Sequence, residues 1–239
     1  QSVIAVGIEE QRQEVRVRLP YPATRRWFNK PTLVNNVKTL AALHYIVSAG
    51  GKAWKGIGTQ KSSGTKLVCL DSFFNRPGIY EVVMGTPMNT IVRELGGGFK
   101  RPVKALQIGG PLGGVVPIAK LHDLTLDFES FTEAGFLLGH ASVVSIPEDY
   151  PMIKYIEHLF DFAAYESCGK CFPCRLGTKR GYELANKAIR GAHVIDRELF
   201  DDLLNTLQEG SLCAHGGGIP LPVRNILEYF NDELETYFN

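Results

Sequence analysis

Glu166-Ser167-Cys168-Gly169-Lys170-Cys171-Phe172-Pro173-Cys174-Arg175 sets three cysteines in a C-x-x-C-x-x-C run, and Cys213 stands alone far downstream. Two-residue gaps let one tight loop aim successive sulfurs at adjacent corners of a small inorganic cube, and a distant fourth thiolate closes the cage. A structural zinc site of four cysteines instead brings two C-x-x-C pairs on separate knuckles, a template this spacing fits poorly. The pattern therefore points to a 4Fe-4S cluster on Cys168, Cys171, Cys174 and Cys213, with zinc as the alternative. With all four thiolates used, no corner stays open to a substrate, so the expected role is one-electron relay rather than chemistry at iron. Lys170, Arg175 and Lys179 either balance the charge of such a buried anion or merely solvate a helix start. His215, two residues past Cys213, reads more simply as a satisfied loop histidine than as a partner of sulfur. Cys69, in the apolar run Lys66-Leu67-Val68-Cys69-Leu70, reads as a core residue.

Outward from the cysteines, the pattern after Pro147 is helical to the end. Met152, Ile153, Ile156, Leu159, Phe160 and Ala163 share one helical face. Three further stretches carry Leu176, Leu184, Ala185, Ala188 and Ile189, then Leu199, Phe200, Leu203, Leu204 and Leu207, then Val223, Ile226, Leu227, Phe230 and Leu234. Asp196 is placed to cap the third helix, and Pro222 to sit in the first turn of the fourth. A four-helix bundle follows as the expectation, with the cysteine run at the junction of its first two helices. Upstream, residues 65–128 change to short β-type runs, Lys66 to Leu70, Ile79 to Met84 and Leu106 to Ile108, with a helix expected from Met88 to Leu95. Gly96-Gly97-Gly98 and Gly109-Gly110-Pro111-Leu112-Gly113-Gly114 read as tight turns rather than ligand contacts. Nearer the start, apolar spacing from Asn35 to Ala49 predicts a helix ended by Gly50-Gly51. The expected class is α+β.

The 239 residues are 44% hydrophobic and 21% charged, with a formal charge of +1. That is a globular composition, and it lacks the clustered Lys and Arg that nucleic acid or an anionic membrane surface demands. No apolar run is long enough to span a bilayer. The opening Gln1 to Gly7 lacks the basic and apolar blocks of a signal peptide. Sparse cysteines suit ligation in a reducing compartment, the cytoplasm or an equivalent. Gly56-Ile57-Gly58 fails the dinucleotide fingerprint because Lys61 takes its third glycine position. Gly58 to Lys66 fails as a phosphate loop by spacing and order. Nothing supports a hydrolase.

Several strings resemble the flavin- and NADH-binding subunit of respiratory complex I and its relatives, the diaphorase subunits of NAD-reducing hydrogenases and NAD-dependent formate dehydrogenases. They are YPA at Tyr21 to Ala23, KPTLVNNVKTL at Lys30 to Leu40, GTK at Gly64 to Lys66, GTPM at Gly85 to Met88 and IGGPLGG at Ile108 to Gly114. ESCGKCFPCRLGTKR at Glu166 to Arg180 and SLCAHGGGIPLPV at Ser211 to Val223 complete the series in the family's order. The resemblance implies the end of a flavin-binding α/β domain at 1–57, a β-grasp domain of the soluble-ligand-binding type at 58–147, and a helical 4Fe-4S-binding bundle at 148–239. It also implies flavin contacts from Asn35, Asn36 and Thr39, where helix capping is the alternative for the asparagines. FMN and NAD(H) are implied in the full subunit or complex. The implied partners are a thioredoxin-like iron–sulfur subunit and further iron–sulfur or catalytic subunits of a hetero-oligomer. The family's G-R-G-G-A-G-F segment is missing here, and Gly7-Ile8-Glu9-Glu10 is at best a remnant of its G-E-E-T-A-L element. Lys38 replaces an acidic residue, Phe172 a threonine and His215 an apolar residue. The expected function is electron relay between FMN and other iron–sulfur centres in an NAD(H)-linked oxidoreductase. A non-catalytic docking module with a structural cluster or zinc is the alternative.

Overall fold

A computed structural model describes residues 7–8, 14–15 and 20–239; Glu9 and Glu10 of the Gly7-to-Glu10 element fall outside those residues. Helix α1, Val37–Ala49, starts two residues later than the spacing suggests, because Asn36 is its cap: the Asn36 side chain accepts from the Lys38 amide at 2.8 Å. Gly50, at φ 87, ends it in a conformation other residues adopt at a cost. A short helix α2, Gly51–Lys55, follows.

Five strands form one mixed sheet: β1 Thr65–Leu70, β2 Gly78–Val83, β3 Val103–Ile108, β4 Gly114–Pro117 and β5 Ser142–Pro147. Their order is β2-β1-β5-β3-β4, with β1 parallel to β5 and the other neighbours antiparallel. Three strands match the sequence reading; β4 and β5 were not foreseen. The expected helix from Met88 to Leu95 is one α turn, α3 Met88–Thr90, continued by a π turn over Ile91–Leu95. Helix α4, Phe128–Glu133, is capped by Asp127, whose side chain accepts from the Ser130 amide. Gly109 and Gly110 take φ 98 and 94, and the Gly113 amide donates to the Gly110 carbonyl, so this glycine run is a turn as expected.

Cys69 corrects the sequence reading. Alternate residues of a strand face opposite sides. Val68 and Leu70 point into the core, so Cys69 lies on the outer face and is exposed.

The C-terminal region holds α5 Met152–Tyr165, α6 Phe172–Ile189, α7 Arg197–Gly210 and α9 Pro220–Tyr229, with two single-turn helices, α8 Ala214–Gly218 and α10 Asn231–Leu234. All six apolar residues expected on the first helical face are buried. Asp196 caps α7 through the Leu199 amide, and Pro222 lies in the first turn of α9. Leu176 and Leu199, expected in the core, are exposed, because each lies outside its helix's buried face.

Sheet and helices share a seam. Ala105, Val115 and Ile146 belong to the helical core, while Leu106, Ile108 and Val116 belong to the core on the sheet's other face. Buried polar groups stitch that seam: Asn225 accepts from the Val115 amide at 3.2 Å, and Tyr155 donates to Gln107 at 2.6 Å. Burial also holds the Tyr155 phenol well above its ordinary pKa. Glu233 accepts from the Met152 amide at 2.6 Å with one oxygen and from Lys104 at 2.6 Å with the other, tying α10 to the start of α5 and to β3.

Candidate metal centre

The loop between α5 and α6 carries Cys168 and Cys171, and Cys174 lies in the first turn of α6. Gly169 turns the loop at φ 75, in the left-handed region where a β-carbon would strain the chain. Pro173 suits the helix start, where its missing amide hydrogen leaves no intrahelical bond unmade. The free amides of that first turn favour negative charge beside it. Cys213 arrives from the loop between α7 and α8. Gly210 lets these hairpins close: a β-carbon there would meet Pro173 at 2.8 Å.

Cys174 is buried, Cys171 and Cys213 are half-buried, and Cys168 is exposed. Burial pushes the Cys174 thiol up, a hydrogen bond from Ser167 pulls it down, and the negative charge of Cys171, Cys213 and Cys168 as thiolates pushes it up again. The structure thus places Cys168, Cys171 and Cys213 within electrostatic reach of Cys174. Among the described residues no group of three or more His, Cys, Asp or Glu side chains is drawn tightly enough to hold a metal ion.

The basic residues around the loop have other partners. Lys170 lies 3.3 Å from Glu14, Arg175 stacks on Phe172 and donates to the Gly169 carbonyl, and Lys179 lies over the Tyr182 ring. His215 Nε2 donates to the Ala163 carbonyl at 2.9 Å, pinning α8 to the end of α5, so the satisfied-histidine reading holds. Two residues the sequence reading passed over lie beside Cys174. Ser167 Oγ is 3.3 Å from Cys174 Sγ, and Ser211 Oγ is buried with no hydrogen-bond partner among the described residues. Their one signal was position, a serine just ahead of Cys168 and another just ahead of Leu212-Cys213.

The donor set is compatible with a multi-iron group: three thiols gathered about a fourth, a helix start against that one, and an orphaned buried hydroxyl beside it.

Asn36 and Thr39 line a second cavity, of about 590 Å³, with Lys38, Lys61, Ser62, Ser63, Thr65, Lys66 and His140 among its walls. Asn35 stands exposed just ahead of them, outside that lining. Lys38 reaches across to Glu81 at 2.5 Å and to Thr65 at 2.8 Å. Lys66 lies 4.7 Å over the Phe128 ring, and burial pushes its ammonium below the ordinary range.

The cysteine-bearing helices match an iron–sulfur-binding class of protein. Residues 154–237, which include all four clustered cysteines, match the family described as the NADH-ubiquinone oxidoreductase-F iron-sulfur binding region. The chain carries that region and is homologous to the F subunits of NADH-quinone oxidoreductases and to hydrogenase subunits. It is 35% identical over 99% of its length to the second F subunit of NADH-quinone oxidoreductase in Rhizobium meliloti, covering 57% of that protein. It is 32% identical over 99% of its length to the NADP-reducing hydrogenase subunit HndC of Solidesulfovibrio fructosivorans, covering 49% of it. Its fold superposes on a chain of an NAD+-reducing [NiFe]-hydrogenase crystal structure with a TM-score of 0.88 at 31% identity, covering 41% of that chain. The chain thus spans about half the length of the curated relatives it matches. Among the described residues, no helix is long and apolar enough to cross a membrane.

Proposed function

We propose that this chain relays single electrons between a flavin site and iron–sulfur centres on partner subunits of an NAD(H)-linked oxidoreductase. The observation that carries the reading is the convergence of Cys168, Cys171 and Cys213 on the buried Cys174 from two helical hairpins, each within electrostatic reach of it. These four would hold a 4Fe-4S cluster. When bound, such a group stores and releases one electron at a time. The residues' own work is to keep four sulfurs in place, to exclude water from the Cys174 side, and to present hydroxyl and amide donors to sulfur.

Asn35, Asn36 and Thr39 are the proposed flavin contacts. The basic, hydroxyl-rich cavity that Asn36 and Thr39 line supports that assignment, since a phosphate-bearing ligand suits lysines and hydroxyls. Asn36 also caps α1, so both roles fall on one side chain. FMN and NAD(H) act in the assembled enzyme, where a flavin splits the two-electron nicotinamide step into single electrons. The proposed architecture is the end of a flavin-binding domain at 1–57, a β-grasp domain at 58–147 and a four-helix cluster-binding bundle at 148–239. The proposed setting is cytoplasmic, in a hetero-oligomer with a thioredoxin-like iron–sulfur subunit.

The test is the anaerobic visible spectrum of the chain after treatment with iron and sulfide, before and after NADH and then dithionite. A broad absorbance bleached by dithionite is expected, lost in Cys168→Ser, Cys171→Ser, Cys174→Ser and Cys213→Ser and kept in Cys69→Ser. Bleaching by NADH with flavin bands would make the chain a complete diaphorase unit. A colourless chain holding stoichiometric zinc would overturn the relay and leave a scaffold.

A further inference from the structure

Ser211 presents an arrangement that the protein's own groups do not complete. Its Oγ is shielded from solvent and has no partner among the described residues. A buried hydroxyl left unbonded has given up its bonds to water without replacing them, so such groups are uncommon in folded chains. Ser211 ends α7, two residues ahead of Cys213. Its hydroxyl and the Cys174 β-carbon lie against the same residue, Gly216: a β-carbon built there would overlap Ser211 Oγ and approach Cys174 Cβ to 2.7 Å. Glycine at 216 is therefore what admits the serine hydroxyl to the buried side of Cys174.

Ser167 approaches the same cysteine, with different bonding. Its Oγ accepts the Gly169 amide at 3.2 Å and lies 3.3 Å from Cys174 Sγ. Its oxygen being engaged by the amide, its proton is free for the sulfur. Ser167 is thus satisfied in the chain alone, whereas Ser211 is not.

We infer that the Ser211 hydroxyl is a potential-setting donor to a sulfur of the bound cluster, the Cys174 thiolate or an inorganic sulfide beside it. The inference rests on the cluster assignment above. A donor to sulfur stabilises the more electron-rich, reduced state more than the oxidised one, so it raises the reduction potential. Ser211 touches no protein acceptor among the described residues, so its contribution appears only when the cluster is present. Ser167 contributes to the potential and to the fold of the loop alike.

The experiment uses the full chain, treated anaerobically with iron and sulfide, in three forms: unaltered, Ser211→Ala and Ser167→Ala. A redox titration against dithionite, followed by electron paramagnetic resonance, gives each midpoint potential. Thermal unfolding of each cluster-free form gives the stability. Ser211→Ala is expected to disfavour reduction by up to about tenfold, which is about 59 mV for a one-electron couple, with cluster-free stability unchanged or raised. Ser167→Ala is expected to disfavour reduction and also to destabilise the cluster-free chain, because it orphans the Gly169 amide. A loaded Ser211→Ala chain with an unshifted potential would overturn the inference and leave the cluster assignment standing. So would a cluster-free Ser211→Ala chain less stable than the unaltered one, since the hydroxyl would then have a protein partner. If no form takes up iron and sulfide, the cluster assignment falls, and the acceptor this inference requires falls with it.

Discussion

Replacing Gly181 by alanine drives a methyl group into the ring of Phe160. Gly181 is buried on α6 where it crosses α5, and an added β-carbon would overlap the ring edge, with Phe160 Cζ only 2.6 Å away. Phe160 is fully buried and packs edge-on against Phe200, ring centroids 6.0 Å apart, so the ring has no free direction in which to move. Two terms oppose each other. Alanine in a helix interior is worth about 1 kcal/mol over glycine, and overpacking a filled core costs about 1–3 kcal/mol, sometimes more. With three ring atoms inside contact distance the upper part of that range applies, leaving a net loss of about 1–2 kcal/mol. At roughly 2–4 °C per kcal/mol for a chain of this size, the midpoint falls by about 2–8 °C. Gly177→Ala, one turn earlier, is the internal comparison. Its methyl would meet Leu207 and Leu203 side chains at 3.0 to 3.4 Å, ends that can yield, so the helix gain prevails and stability holds or rises. Thermal unfolding of the two cluster-free variants by circular dichroism decides the matter. A Gly181→Ala chain as stable as Gly177→Ala would refute the claim that the α5–α6 crossing is closed to a single methyl.

Glu233→Ala removes the acceptor of the Met152 amide and the partner of Lys104 together, with an expected cost of about 1–3 kcal/mol in urea unfolding; an unchanged midpoint would refute the stitch. Glu129 accepts from Ser62 and Thr59, which hold its carboxyl below the usual range. A lowered folded pKa gives stability that is present above the unfolded value, about 4.3, and is lost as pH falls through the folded one. Glu129→Gln should therefore destabilise at neutral pH and converge with the unaltered protein in acid; a gap independent of pH would count against it. Cys69 is exposed on the sheet, so an alkylating reagent should label it with or without the cluster, while loading protects the other four cysteines; protection of Cys69 on loading would contradict the assignment.

The helical half was legible because long amphipathic helices repeat their signal over several turns. Met152 through Ala163 carries seven inward residues, and capping Asp196 marks where the third long helix begins. The short strands were less so. β4 offers four residues, beginning at a glycine and ending at Pro117, and β5, central in the sheet, hides its alternation in six. Cys69 was misplaced because an apolar run hides which of its alternating residues face inward until the partner strands are known. The π turn after Met88 keeps apolar spacing while altering the hydrogen bonds, which composition does not reveal. At the site, cysteine spacing picked out the four thiols proposed as ligands, whereas Ser167 and Ser211 emerge only from packing. Serine is common in loops and carries no periodic mark.

The site's placement bears on the work proposed for it. Its thiols hang from two hairpins whose packing is complete without them: Phe160, Phe200, Leu204 and Leu207 are fully buried among protein atoms alone. His215 holds α8 to α5, and Thr178 Oγ1 donates to the Cys174 carbonyl at 2.6 Å, fixing the ligand-bearing turns from behind. Small zinc domains differ, since their metal supplies the folding free energy. Here the helices bury an apolar core of their own behind the cysteine-bearing turns, so charge entering or leaving a bound group would meet a scaffold held by packing and not by that group alone. That rigidity suits one-electron exchange, and it leaves adjustment of the potential to nearby hydroxyls and amides such as Ser167, Ser211 and Gly169.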